Sequence, residues 1–355
     1  MAEAELNSSV YPSVFTEGYT SVVQTAPTER YWEDVVADFL YAVPSILLLI
    51  IGTIGNTLSF MVFNKKSMKQ SVTSVYFRVL AITDTTVLYS GGVVFFLVGA
   101  FGKDVRLYAD WSCKFFIALL KVTCYHSCWI LVLISIDRFI GVYIPHKYRQ
   151  YCTKRRAILS IIILLFCVMA FVGGFWGTAL SVSDNKCGIG GDHLFFYNAV
   201  YQWLDLGVLN LIPSIILVSI NVAIILKISY GSFGAEEDSG SSSSKAKKQA
   251  NSLTVILLSI SLVYILCTIP SSTAFLVIKT FHGARKHAQV TLYVRSCETL
   301  YLANHASNFF LYCVNGTTFR KELKGLFCKS EMVTSSMSNS TNMSAYSVSQ
   351  SEKNP

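Results

Sequence analysis

The chain has 355 residues, of which 52% are hydrophobic and only 14% charged, a balance too oily for a soluble protein of this length. Its formal net charge of +8 comes from cations spread over separate segments instead of gathered in one basic groove, so it does not point to nucleic acid. The first 38 residues are acidic, with Glu3, Glu5, Glu17, Glu29, Glu33, Asp34 and Asp38 against Arg30, and they carry the glycosylation sequon Asn7-Ser8-Ser9. No apolar run precedes Phe39, so the first span is expected to serve as its own insertion signal. Uncharged runs then follow at Phe39–Phe63, Val79–Gly102 (broken only by Asp84), Ala157–Val182, Leu206–Leu226 and Leu253–Ile278. Two further runs are less clean: Phe115–Ile136 holds Lys121 and His126, and Val290–Val314 holds Arg295, Glu298 and His305. A helix needs about 20 mostly apolar residues to cross a hydrocarbon core of roughly 30 Å, and each run reaches that length. The runs are apolar on all sides, unlike the helices of a large soluble protein. The expectation is an all-α membrane protein, a seven-transmembrane helix bundle.

Lys65, Lys66, Lys69, Lys147, Arg149, Lys154, Arg155, Arg156, Lys227, Lys245, Lys247, Lys248, Arg320, Lys321 and Lys324 fall on one side of this arrangement. That side is the cytoplasm by the positive-inside rule, which places the acidic N-terminus outside. Beyond the last span, Thr318–Phe327 is amphipathic and Cys328 follows it. The placement suits a helix lying on the inner membrane surface, with Cys328 either palmitoylated or a plain thiol. The organisation read from these signals is an extracellular tail at 1–38, a bundle at 39–314, a membrane-surface helix at 315–328 and a Ser/Thr-rich cytoplasmic tail at 329–355. That tail is either an inert solvated segment or a kinase substrate.

Polar residues inside the spans are the pointers to function. An aspartate at a bilayer centre costs roughly 2.5 to 3.5 kcal/mol, so Asp84 needs partners. Ser127, Asn304, Asn308 and Asn56 are candidates, either as a structural hydrogen-bond network or as a wet cluster holding a small cation such as Na⁺. Lys121 and Glu298 both lie about two turns inside the outer surface, where they pair with each other or meet a ligand. His305 is read as satisfying a neighbour. Cys113 and Cys187 share the oxidising side, where a disulfide can persist and would pin the intervening loop, whereas Cys297 is expected to be free. Pro213 and Pro270 should kink their helices, while Pro44 reads as a helix start. Asp137-Arg138-Phe139, an ion pair at the cytoplasmic end of the third span, reads as a switch.

Assembled in order, Gly55-Asn56, Leu80-Ala81-Ile82-Thr83-Asp84, Cys113, Asp137-Arg138-Phe139, Pro145, Cys187, Pro213, Pro270, Asn304 and Asn308-Phe309-Phe310-Leu311-Tyr312 resemble the rhodopsin-like G-protein-coupled receptors. The likeness extends over Phe39–Cys328. Trp111-Ser112-Cys113-Lys114 and Pro145-His146-Lys147-Tyr148 are similar to invertebrate neuropeptide receptors. The resemblance implies a plasma-membrane receptor that is no enzyme, with Arg138 held by Asp137 at rest and released toward a heterotrimeric G protein. It implies that Tyr312 swings inward as the sixth helix moves around Pro270. It further implies a sodium pocket at Asp84, Ser127, Asn304 and Asn308, a Cys113–Cys187 disulfide, and regulation by a receptor kinase and arrestin. Leu120, Lys121, Thr268, Glu298 and Tyr301 are the candidate ligand-pocket residues. Departures include Phe139 for tyrosine, Thr268 for tryptophan, Asn221 for tyrosine and Phe309 for proline, which suggest a differently tuned activation path with raised resting activity. Leu120 stands where amine receptors carry an aspartate, and Leu302 where opsins carry a lysine, so neither an amine nor retinal is expected. Lys279, Arg285, Lys286 and Arg295 near one outer rim either suit a peptide with acidic groups or a free carboxylate or are free, solvated cations. A lipid or other small non-amine ligand is the alternative. A transporter is disfavoured because no internal repeat is visible.

Overall fold

A computed structural model describes residues 31–183, 186–233, 241–278 and 284–327. Asn7, Lys279, Cys328 and the Ser/Thr-rich tail lie outside the described residues, as do the side chains of Arg285 and Lys286. Among the described residues, seven long helices run in succession: α1 (Trp32–Phe63), α2 (Thr73–Phe101), α3 (Asp110–Tyr143), α4 (Lys154–Ala179), α5 (Gly191–Ser229), α6 (Ser241–Ile278) and α7 (Ala284–Asn315). A short helix, α8 (Thr317–Phe327), follows. Among the described residues, six helices are long and apolar enough to cross a membrane by length and composition. α7 falls outside that set because Arg295, Glu298 and His305 interrupt it, yet it packs along both α1 and α6 as a full member of the bundle.

The bundle is apolar on its outside, and within its largely apolar core it buries a set of polar and charged side chains, unlike a soluble protein. α4 exposes Ile158, Leu159, Ile162, Ile163 and Phe166, and α5 exposes Ile215, Val218 and Val222, whereas Asp84, Lys121, Arg295, Glu298 and His305 are buried. Only lipid solvates such a surface without driving it to aggregate. Where helices touch, small residues let them approach. A Cβ at Gly99 of α2 would stand 2.5 Å from the Ala42 nitrogen and 2.6 Å from the Tyr41 Cβ of α1, so only glycine fits there.

The elements differ from the sequence reading at their ends. α1 starts at Trp32, with Glu33 and Asp34 in its first turn, where they favour the positive end of the helix dipole. Pro44 is therefore interior and not a helix start. Proline frees the carbonyl of residue i−4, here Leu40, and that oxygen accepts from Thr299 Oγ1 of α7 at 3.3 Å. Pro213 is handled the same way. The preceding segment, Leu206–Leu211, widens into a π-helical turn, and its exposed carbonyls find donors: Val208 O accepts from Trp129 Nε1 at 3.1 Å, and Leu209 O accepts from the Tyr264 hydroxyl of α6. The apolar run Ala157–Val182 does not remain helical throughout. Leu180–Ser183 turns into β1, which pairs antiparallel with β2 (Lys186–Ile189) in a hairpin on the outer side. α8 anchors on the inner face. Phe319 packs on Phe63 and Tyr312, while Arg320 Nη1 donates to the Cys313 carbonyl at 2.8 Å and so caps α7.

Candidate functional site

One helix, α3, carries three polar stations at successive depths. At the outer station Cys113 is bonded to Cys187, with Cα atoms 5.6 Å apart, which fastens the β1–β2 hairpin to the top of α3. Asp110 Oδ1 accepts from the backbone nitrogen of Val182 at 2.7 Å and fixes the same hairpin from its other strand. Two turns deeper, Lys121 Nζ lies 3.0 Å from both carboxylate oxygens of Asp205 on α5. The Tyr125 hydroxyl also donates to Asp205. The Trp176 ring of α4 lies over the Lys121 ammonium at 5.6 Å, and its indole nitrogen donates to the Tyr201 hydroxyl at 2.7 Å. A cavity of about 20 Å³ between Lys121, Trp176, Tyr197, Tyr201, Gln202 and Asp205 is the space this ion pair leaves.

Lys121 and Glu298 do not pair with each other, as the sequence had allowed. Lys121 finds Asp205, and Glu298 accepts from the Tyr41 hydroxyl of α1. Arg295 is not a free rim cation either: it pairs with Asp38 and covers the Tyr41 ring. In the outer loop Arg106 binds Asp104; burial, the largest single influence, lowers the affinity of this guanidinium for its proton, but Asp104 together with Tyr41 and Glu298 outweighs it and holds the group above its usual value. Of the remaining pocket candidates, Leu120 lines a second cavity of about 10 Å³ with Lys121 and Arg106. Thr268 and Tyr301 are buried deeper, Thr268 Oγ1 donating to the Tyr264 carbonyl at 2.7 Å and the Tyr301 ring resting 5.1 Å from that of His305. Cys297 is a free, buried thiol. Sequence reasoning missed Asp205, Trp176 and Tyr201. The missed signal was Asp205 itself, which ended the uncharged run at Leu206 and so seemed to stand outside the helix.

At the middle station Asp84 is buried at 1% exposure. Its Oδ1 accepts from Ser127 Oγ at 2.6 Å and meets His305 Nδ1 at 2.8 Å, while Oδ2 accepts from Asn308 Nδ2 at 2.6 Å. Asn56 Nδ2 donates to the His305 carbonyl at 3.2 Å. Asn304, also expected here, is buried nearby in sequence, its backbone carbonyl accepting from Ser307. His126 lies elsewhere, its ring facing the Ile161 carbonyl of α4 at 3.4 Å.

At the inner station Arg138 Nε donates to Asp137 Oδ2 at 3.1 Å. Arg138 also donates to the Tyr148 hydroxyl at 2.7 Å and to Thr73, and both hydroxyls donate onward to Asp137, Thr73 at 3.0 Å and Tyr148 at 3.3 Å. Tyr148 belongs to an inner-loop helix that opens with Pro145. Burial pushes its phenol up to about 12 against the opposing pull of Arg138, so it remains a proton donor at physiological pH. Phe139, in place of tyrosine, stacks on Tyr143 at 4.4 Å. Tyr312 is packed among Phe63, Phe77 and Phe319 at 5.1 to 5.3 Å. Phe309, in place of proline, presses on Gly55, whose missing Cβ would stand 2.8 Å from that of Phe309.

The profile of the 7 transmembrane receptor (rhodopsin family) matches residues 55–312. The chain is 22% identical over 307 residues to a probable G-protein coupled receptor of Caenorhabditis elegans, covering 79% of this chain and 67% of that protein. It is 28% identical over 142 residues to the FMRFamide peptide receptor frpr-18 of C. elegans, covering 38% of this chain and 32% of the relative. It is 33% identical over 162 residues to a Dopamine D2-like receptor of Drosophila melanogaster, covering 45% of this chain and 17% of the relative.

Proposed function

We propose that this chain, which belongs to the rhodopsin family of seven-transmembrane receptors, is a receptor for an extracellular neuropeptide whose docking is relayed to a heterotrimeric G protein. The observation that carries this reading is the shared helix. α3 bears the Lys121–Asp205 pair near its outer end and the Arg138–Asp137 pair near its inner end, 17 residues and therefore about 25 Å apart. A ligand that binds one arrangement of the outer pair more tightly than another shifts the whole bundle, because a rigid helix has few ways to move at one end only.

A peptide fits the outer chamber better than an apolar ligand does. Lys121, Asp205, Arg295 and Glu298 already have partners there. Anything that separates a buried pair must bring charges or hydrogen-bond groups of its own, since one left unpaired costs roughly 3 to 5 kcal/mol. Peptide backbones and side chains supply such groups in number. The similarity of part of the chain to an FMRFamide peptide receptor agrees with this reading. An amine would meet Leu120, and the nearby α5 carboxylate, Asp205, is matched by Lys121. Receptor kinase and arrestin would then act on the inner face, as for other members of the family.

Cells expressing the chain, challenged with neuropeptide, lipid and monoamine panels and read through several second messengers, test the proposal. The expected result is a response to a peptide that Arg138→Ala removes while surface expression persists. A response confined to lipids or amines would refute the ligand class, and full signalling by Arg138→Ala would refute the relay.

A further inference from the structure

We infer that the imidazole of His305 occupies, at Asp84, the position a sodium ion would need, so that the polar centre of this bundle is closed to monovalent cations. An ionised carboxylate only accepts hydrogen bonds, so every polar atom within reach of Asp84 must turn a hydrogen toward it. Three do so: Ser127 Oγ at 2.6 Å, Asn308 Nδ2 at 2.6 Å and His305 Nδ1 at 2.8 Å. Nδ1 is therefore the protonated nitrogen of the ring. A hard cation requires the opposite, several oxygen lone pairs converging on one point. Two of the three groups gathered here are nitrogen donors, and neither offers a lone pair to a cation in this arrangement.

His305 is also held where it is. It is 2% exposed, its backbone carbonyl is fastened to Asn56 Nδ2 at 3.2 Å, and its ring rests on that of Tyr301 at 5.1 Å. Admitting an ion with even part of its water shell would mean turning the ring out of a close-packed interior. The imidazole thus offsets part of the cost of burying Asp84 as a bound ion would. It is covalently attached, however, so its occupancy cannot follow the sodium concentration outside the cell. The residues do not fit a sodium pocket of Asp84, Ser127, Asn304 and Asn308, and this receptor's conformational equilibrium should be indifferent to sodium.

The test is thermal unfolding of the full chain in nanodiscs, in sodium chloride against potassium or N-methylglucamine chloride at about 0.15 M ionic strength. The wild type should unfold at the same temperature in all three salts. His305→Ser, which frees the carboxylate, should gain a sodium-specific rise of about 2 to 4 °C, and adding Asp84→Asn should remove it. A sodium-specific rise in the wild type that Asp84→Asn abolishes would overturn the inference, as would a folded His305→Ser that gains nothing. Should His305→Ser not be recovered, the wild-type comparison decides alone: equal unfolding in the three salts upholds the inference. No ligand enters this experiment, so its outcome is separate from that of the peptide proposal.

Discussion

Tyr148 sits between the two charges of the inner pair, taking a hydrogen bond from Arg138 and passing one to Asp137. Such an arrangement stabilises the held state by about the worth of one hydrogen bond to a charged group, roughly 1.5 to 3 kcal/mol. Tyr148→Phe keeps the ring over Arg138 and loses only the hydroxyl, so ligand-independent G-protein activation should rise at least about 5-fold at matched surface expression. Unchanged basal activity would show that the hydroxyl does not hold the resting state. Residues whose role depends on local position were legible in the sequence: Asp137 and Arg138 are neighbours, and Asp84 had to find donors wherever it stood. Asp205 and Trp176 were not, because their meaning lies in what faces them on other helices, Tyr201 standing 25 residues from Trp176 and Lys121 standing 84 from Asp205. His305 illustrates the boundary. That it satisfies a neighbour could be read from its place in a span, but that the neighbour is Asp84 required the fold.

At the scale of elements, the helices were legible from apolar runs, and their ends were not. A run of uncharged residues measures hydrophobicity and says nothing of hydrogen bonding, so it missed the turn from α4 into β1 and the N-terminal extensions of α1 and α5. The prolines show the same division. Pro213 and Pro44 each leave a carbonyl without its helical donor, and in both cases another helix supplies one, Tyr264 for Leu209 and Thr299 for Leu40. Those bonds join α5 to α6 and α1 to α7 at points where the helices are easiest to bend. Tyr264→Phe should leave a buried carbonyl unpaired and destabilise the protein by about 1 to 3 kcal/mol. The measure is the thermal midpoint in nanodiscs, which should fall by roughly 2 °C or more. An unshifted midpoint would mean that the widened turn before Pro213 is satisfied without α6.

For the whole molecule, burying Asp84, Lys121, Arg295, Glu298 and His305 inside a bundle with an oily exterior is affordable only because each has a partner on another helix. These pairings link α3 to α2 and α5, α2 to α7, and α7 to α1, so rearranging one must disturb the others. That is the physical content of a two-state receptor: interlocked pairs permit a few discrete arrangements, and a ligand selects among them. A transporter would need to open its polar centre alternately to either side, whereas this centre is filled by its own side chains. The most direct measurement is guanine-nucleotide exchange on purified heterotrimeric G proteins by the full chain in nanodiscs, under a neuropeptide panel and beside Arg138→Ala. Acceleration of exchange that an activating peptide increases and Arg138→Ala abolishes is the predicted result. Exchange that stays at the rate of G protein alone, with every Gα class and every peptide, would contradict the account.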